Sequence, residues 1–145
     1  MSDVSIEIHL NDGEPVLDMR RYRPGDTISG QVIIYANQVL NPRKVTASLE
    51  WQTAGRGTTY NEKIEEYTLL NGDPLTTGFP NTYPITFTLP EKPWSYEGHY
   101  IKIFWKIAVN IDLAWKKDPR QEQMILVEPD RSDAWNQKGD GFSSF

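Results

Sequence analysis

A period of two governs this chain. From Ile101 to Trp115 every odd position is apolar: Ile101, Ile103, Trp105, Ile107, Val109, Ile111, Leu113 and Trp115. The intervening positions are mixed, with Lys102, Phe104, Lys106, Ala108, Asn110, Asp112 and Ala114. Successive side chains of a β-strand point to opposite faces, so one face here is wholly apolar and the other is not. No helical reading survives the pattern. At about 3.3 Å per residue the stretch would span roughly 50 Å, well beyond an ordinary strand. It is therefore either one unusually long strand or a strand that bends near Ala108–Asn110 and serves two regions of the fold.

The alternation recurs in six further segments. Ile6, Ile8 and Leu10 alternate with Glu7 and His9; Ile28, Gly30, Val32 and Ile34 with Ser29, Gln31 and Ile33; Val45, Ala47, Leu49 and Trp51 with Thr46, Ser48 and Glu50; Ile85, Phe87 and Leu89 with Thr86 and Thr88. Residues 63–70 and 121–128 are the remaining candidates. Between them lie NDGEP, RPGD, ANQVLNP, TAGRG, NGDP and EKPW, rich in the residues that set turn geometry. Seven or eight strands punctuated in this way predict an all-β fold, an antiparallel immunoglobulin-like sandwich with almost no helix. Trp51, Trp105 and Trp115 share the phase of the apolar positions and are expected in the core. One domain over residues 1–129 is expected, followed by a polar tail over 130–145. That tail is either flexible or docked on a sheet edge through Trp135, Phe142 and Phe145.

Composition narrows the functions. The 145 residues include no cysteine, which excludes disulfide frameworks, zinc–thiolate sites and thiol catalysis. A formal net charge of −5 argues against nucleic acid as a partner. No apolar run is long enough to span a membrane, and no signal-peptide pattern opens the sequence, so a cytoplasmic protein is expected. With only His9 and His99, a histidine-rich metal site is excluded. No nucleophile elbow, phosphate-cradling glycine loop or dinucleotide fingerprint is present. Glu97 and His99 share strand spacing but read as surface groups, Asp112 and Asp118 are too sparse for calcium, and Glu65 and Glu66 point to opposite faces. No catalytic residue, cofactor or metal ligand is assigned.

Two segments carry a family resemblance. YRPGDTISGQVII, from Tyr22 to Ile34, resembles the Tyr-x-Pro-Gly-acidic element in the early strands of arrestin-related trafficking adaptors. YPITFTLPEKPWSYEG, from Tyr83 to Gly98, resembles a second element of the same amino-terminal lobe, and HYIKIFWKIAVNIDLAW after it resembles that lobe's long strand. The grouping includes visual arrestins, α-arrestin-like adaptors, the arrestin-fold retromer subunit and a bacterial sporulation-control family. The resemblance implies an arrestin-like sandwich that acts as an adaptor or scaffold through strand edges and loops. Relatives usually have two lobes, whereas this sequence has length for one. Arrestins sense phosphate with a lysine pair on the first strand; here that strand offers Glu7 and His9, and a carboxylate repels phosphate.

The expected function is accordingly protein–protein interaction without catalysis. Candidate contact residues are Trp94 and Tyr96, which lie outside any alternation in a turn, and Arg56 in the TAGRGTTY loop. A homodimer is expected, because a lone lobe leaves sheet edges to be covered. Two other readings stand beside it: a carbohydrate- or lipid-binding sandwich, with peripheral membrane contact through the same aromatics, and a structural component of a larger assembly.

Overall fold

The computed structural model describes residues 4–57, 59–114 and 116–129. Ten strands form among them: β1 (Val4–Leu10), β2 (Glu14–Val16), β3 (Met19–Tyr22), β4 (Thr27–Ala36), β5 (Lys44–Gly55), β6 (Asn61–Asn71), β7 (Asn81–Thr88), β8 (Tyr96–Glu97), β9 (Ile101–Asp112) and β10 (Arg120–Val127). The seven long ones are the seven segments of alternation. The other three have two to four residues each, too few for a period to register.

The strands form two sheets. One has the order β1-β4-β7, and the other runs β2-β3-β10-β9-β5-β6, with β8 also on β9. All pairings are antiparallel except β3 with β10. The long apolar segment is one continuous strand of twelve residues. One flank of β9 pairs with β5 from Ile101 to Asp112 without a break. Along the other flank β10 covers Trp105 to Asn110 and β8 covers Lys102 and Ile103, so β9 does serve two regions.

The inward faces meet in one core. Ile28, Val32 and Ile34 of β4 with Ile85 and Phe87 of β7 pack against Val45, Ala47 and Leu49 of β5, Trp105, Ile107, Val109 and Ile111 of β9, and Ile125 and Val127 of β10. Each such large side chain contributes about 1.5–3 kcal/mol when fully buried. Trp105 is fully buried, and its indole N–H donates to the Pro93 carbonyl at 3.0 Å. Trp51 is half-buried with its ring 5.3 Å from that of Tyr60, while Trp115 lies outside the described residues.

Gly30 of β4 pairs with Leu10 at the end of β1. A Cβ there would lie 2.1 Å from the His9 carbonyl oxygen, and a backbone atom cannot yield as a side-chain tip can. Gly30→Ala is expected to push β1 away from β4 and cost about 1–3 kcal/mol in a urea unfolding midpoint. An unchanged midpoint would contradict this packing.

Candidate interaction surface

Among the described residues the two sheets end on β1, β7, β2 and β6, with the two-residue β8 beside β9 as a further short edge, and three of the four outermost strands are blunted. β2 is three residues long and contains Pro15. β6 carries two extra residues relative to β5, Ile64 and Leu69, and its charged positions are the exposed Lys63, Glu65 and Glu66 and the half-buried Glu62. Bulges and charge are recognised guards against strand addition.

β7 is closed differently. The Leu89 N–H donates to the Asp26 carbonyl, which sets the ladder phase so that residues 84, 86 and 88 turn their backbone groups away from β4. Position 84 is proline and has no N–H to offer. The Thr86 N–H donates to the Tyr67 phenol oxygen at 2.6 Å, that phenol donates back to the Thr86 carbonyl at 3.3 Å, and the Thr88 N–H reaches the Glu65 carboxylate at 3.4 Å. Side chains from the opposite sheet thus stand in for a missing strand. Burial pushes the Tyr67 hydroxyl's pKa above its ordinary value.

Among the described residues β1 is regular, with neither bulge nor proline, although Glu7 and His9 stand exposed on it. All seven residues pair with β4 in unshifted register. The Asn11 N–H donates to the Ser29 carbonyl, so odd positions bond β4 while Ile6, Ile8 and Leu10 turn their N–H and C=O groups to the free side. A groove of about 280 Å³ runs beside this edge, lined by Ile8, Leu10, Pro15, Leu17, Met19 and Arg20 among others. At its mouth Leu17 is 94% exposed and holds φ at 56°, a left-handed conformation costing a non-glycine residue roughly 1–2 kcal/mol. Leu17 and Asp18 form the two-residue turn between the paired Val16 and Met19, where hairpin geometry calls for positive φ.

The sequence candidates Trp94, Tyr96 and Arg56 lie elsewhere. Trp94 is half-buried and its indole N–H donates to the Glu91 carbonyl at 3.0 Å, so it closes its own turn. Tyr96 is 50% exposed on β8, in register with Ile103. Arg56 donates its backbone N–H to the Tyr100 carbonyl at 3.3 Å and lays its guanidinium 5.2 Å from the centre of that ring. Gly55 makes this approach possible, since a Cβ there would stand 2.2 Å from the Tyr100 oxygen. Arg56 is therefore brought together with Tyr100, which is 61% exposed, and not shown touching Trp94 or Tyr96.

Sequence reasoning passed over a charged network on the outer face of the larger sheet. Ala108 of β9 is small enough for side chains of β5 and β10 to meet above it. Arg120 donates to both oxygens of Glu50 at 3.3 Å and to Glu122 at 3.0 Å; Ser48 donates to Glu50 at 2.6 Å; Lys106 bonds Glu122 at 3.0 Å and Gln52 at 2.9 Å. Glu50 is only 2% exposed. Burial raises its pKa, but the Ser48 hydroxyl, Arg120 and Lys106 more than offset that and hold it below the usual carboxylate range. Glu122 is lowered in the same way, burial being outweighed by Lys106 and Arg120. Each charge in this cluster faces one of opposite sign. The alternation put Glu50 and Lys106 on polar faces; only the strand order β5-β9-β10 makes them neighbours.

The remaining titratable candidates do not converge. His99 stacks edge-on against Tyr100 at 4.4 Å, Asp112 binds Arg43 at 2.7 Å, and Asp118 accepts from the Leu113 N–H and the Asn110 amide. Among the described residues no three His, Asp or Glu side chains are grouped to hold a metal ion.

Comparison with known proteins places the architecture. No family model matches the chain, and no curated protein matches it. A solved structure does: Spo0M, a sporulation control protein from Bacillus subtilis, superposes over 88% of this chain with a TM-score of 0.68 at 18% identity. The fold is that of an arrestin-like lobe. This chain spans half the length of Spo0M. On its first strand, where arrestins carry lysines, the lobe has Glu7 and His9 bonded to each other at 2.8 Å.

The network yields a prediction with a definite sign. Glu50 and Glu122 are depressed in the folded state, so their contribution is complete above the unfolded carboxylate range, about pH 4.3, and is lost as pH falls through the lower folded values. Glu50→Gln is expected to lower stability by about 1–3 kcal/mol at pH 7 and to flatten the acid limb of a stability–pH curve. An acid limb identical to that of the parent would contradict the network.

Proposed function

We propose that this arrestin-like lobe is a non-enzymatic, cytoplasmic adaptor that takes up an extended segment of a partner protein as an added strand along β1. The observation that carries this reading is the contrast among the edges: β2, β6 and β7 are each blunted, while the regular β1 turns the backbone groups of Ile6, Ile8 and Leu10 away from β4, with Ile8 and Leu10 lining a groove. Main-chain hydrogen bonds would supply affinity, and the mixed lining, with Ile8, Leu10, Leu17 and Met19 beside His9, Asp18, Arg20 and Gln123, would select alternate side chains of the guest. The same edge is open to a second copy of the chain, which is how a homodimer would form.

Peptides selected from a random display library supply the probe. Selected peptides are expected to shift backbone amide resonances of Ile6, Ile8 and Leu10. Ile8→Pro removes an outward N–H without touching the β4 ladder and is expected to weaken binding at least about tenfold, or 1.4 kcal/mol, relative to an Ile8→Ala control that carries the packing loss alone. Peptides that bind equally well to both variants, or shift only Tyr96, Tyr100 and Arg56, would contradict the β1 reading. The latter pattern would move the site to the aromatic end and favour the carbohydrate- or lipid-binding alternative.

A further inference from the structure

Among the described residues, outside which the expected tail over 130–145 lies, the smaller sheet ends on β1 and β7. Both strands run antiparallel to β4, so they share one direction. Each turns its outer backbone groups out at every second residue: Ile6, Ile8 and Leu10 on one edge, and residues 84, 86 and 88 on the other. Copies of the chain could therefore join through this sheet in two ways. β1 against the β1 of a second copy is a two-fold contact that closes at two chains. β1 against β7 is heterologous: every copy added presents the same free edge again, and growth has no end.

The device on β7 bears on the second of these. Tyr67 meets Thr86 and Glu65 meets Thr88, so side chains two apart on β6 serve backbone positions two apart on β7, in reversed order as in an antiparallel ladder. The Tyr67 hydroxyl both accepts from and donates to Thr86, the exchange that a residue of an added strand would make there. Its ring lies 5.2 Å from that of the fully buried Phe87, so the core holds the phenol in place. Pro84 withholds the remaining donor. A surface charge guards an edge by repulsion and weakens in salt, whereas this arrangement occupies the backbone groups themselves.

We infer that Tyr67, Glu65 and Pro84 guard β7 against the β1 edge of a second copy and so keep the chain from head-to-tail assembly. This rests on the reading of β1 as an open edge and adds what that edge is barred from joining. β1 stays free for a partner, while the edge of the same sheet that would otherwise accept it is shut.

Sedimentation velocity and light scattering of the full-length chain over a concentration series test this. Tyr67→Phe/Glu65→Ala/Pro84→Thr keeps a ring on Phe87 and frees all three positions. Its weight-average mass is expected to climb with concentration past two chains, to at least about twice that of the parent, because a heterologous contact does not close. Adding Ile8→Pro, which removes an outward N–H of β1, is expected to cancel the growth. Tyr67→Phe alone, a milder change should the triple variant fold poorly, is expected to speed exchange of the Thr86 amide about tenfold or more at low concentration. A folded triple variant that stays at the parent's mass, a parent that itself forms open chains, or a Thr86 amide equally protected without the phenol would each overturn the guard. The β1 reading survives those results if selected peptides still shift Ile6, Ile8 and Leu10. Growth undiminished by Ile8→Pro would overturn β1 as the strand kept out.

Discussion

The outermost strands of an open β-sandwich leave rows of backbone N–H and C=O groups with no partner, and a hydrogen bond left unmade is costly wherever water is excluded. This chain treats its outermost strands in different ways. Proline and brevity end β2, and two bulges with four charged residues roughen β6. At β7 the solution is specific: Pro84 deletes one donor, and Tyr67 and Glu65 reach across from the other sheet to occupy Thr86 and Thr88. Against that background the regular, bulge-free β1 is the exception.

β9 is the frame on which these edges hang. Its odd residues fill the core and its register with β5 runs unbroken through twelve pairs, which holds the larger sheet rigid on one side. Its even residues do the opposite task. Ala108 leaves room for Arg120 to cross to Glu50, and Lys106 ties Glu122 to Gln52, so an outer face that would otherwise be solvated is locked by matched charge. Breaking one partner of such a cluster strands the others, so a substitution here is expected to be costly despite lying outside the apolar core. The fold spends its titratable groups on holding strands together.

Much of this was legible in the sequence because burial on one face imposes alternation on every long strand. The seven long strands follow from that alone, as do the inward positions of Trp105, Ile107, Val109 and Ile111. β2, β3 and β8 escaped because two to four residues cannot display a period. The Glu50–Arg120 contact escaped for another reason: the two residues are seventy positions apart and meet only through strand order. The same holds for the β1 edge, whose openness depends on what the topology fails to place beside it. Trp94 and Tyr96 were indistinguishable as turn aromatics, and the structure separates them by a single hydrogen bond to Glu91 and by exposure. The YRPGD and YPITFTLP elements carried the arrestin resemblance, and the superposition on Spo0M agrees with it at the level of fold.

Residue-resolved amide hydrogen exchange on the isolated chain tests the central claim most directly, because it reads each edge in one experiment. The expected result is fast exchange at Ile6 and Ile8, whose amides face the open side of β1, and strong protection at Thr86 and Thr88, whose amides are held by Tyr67 and Glu65. Equal protection on β1 and β7 at low protein concentration would mean that β1 is already covered within the monomer, and the account of an open docking edge would be wrong.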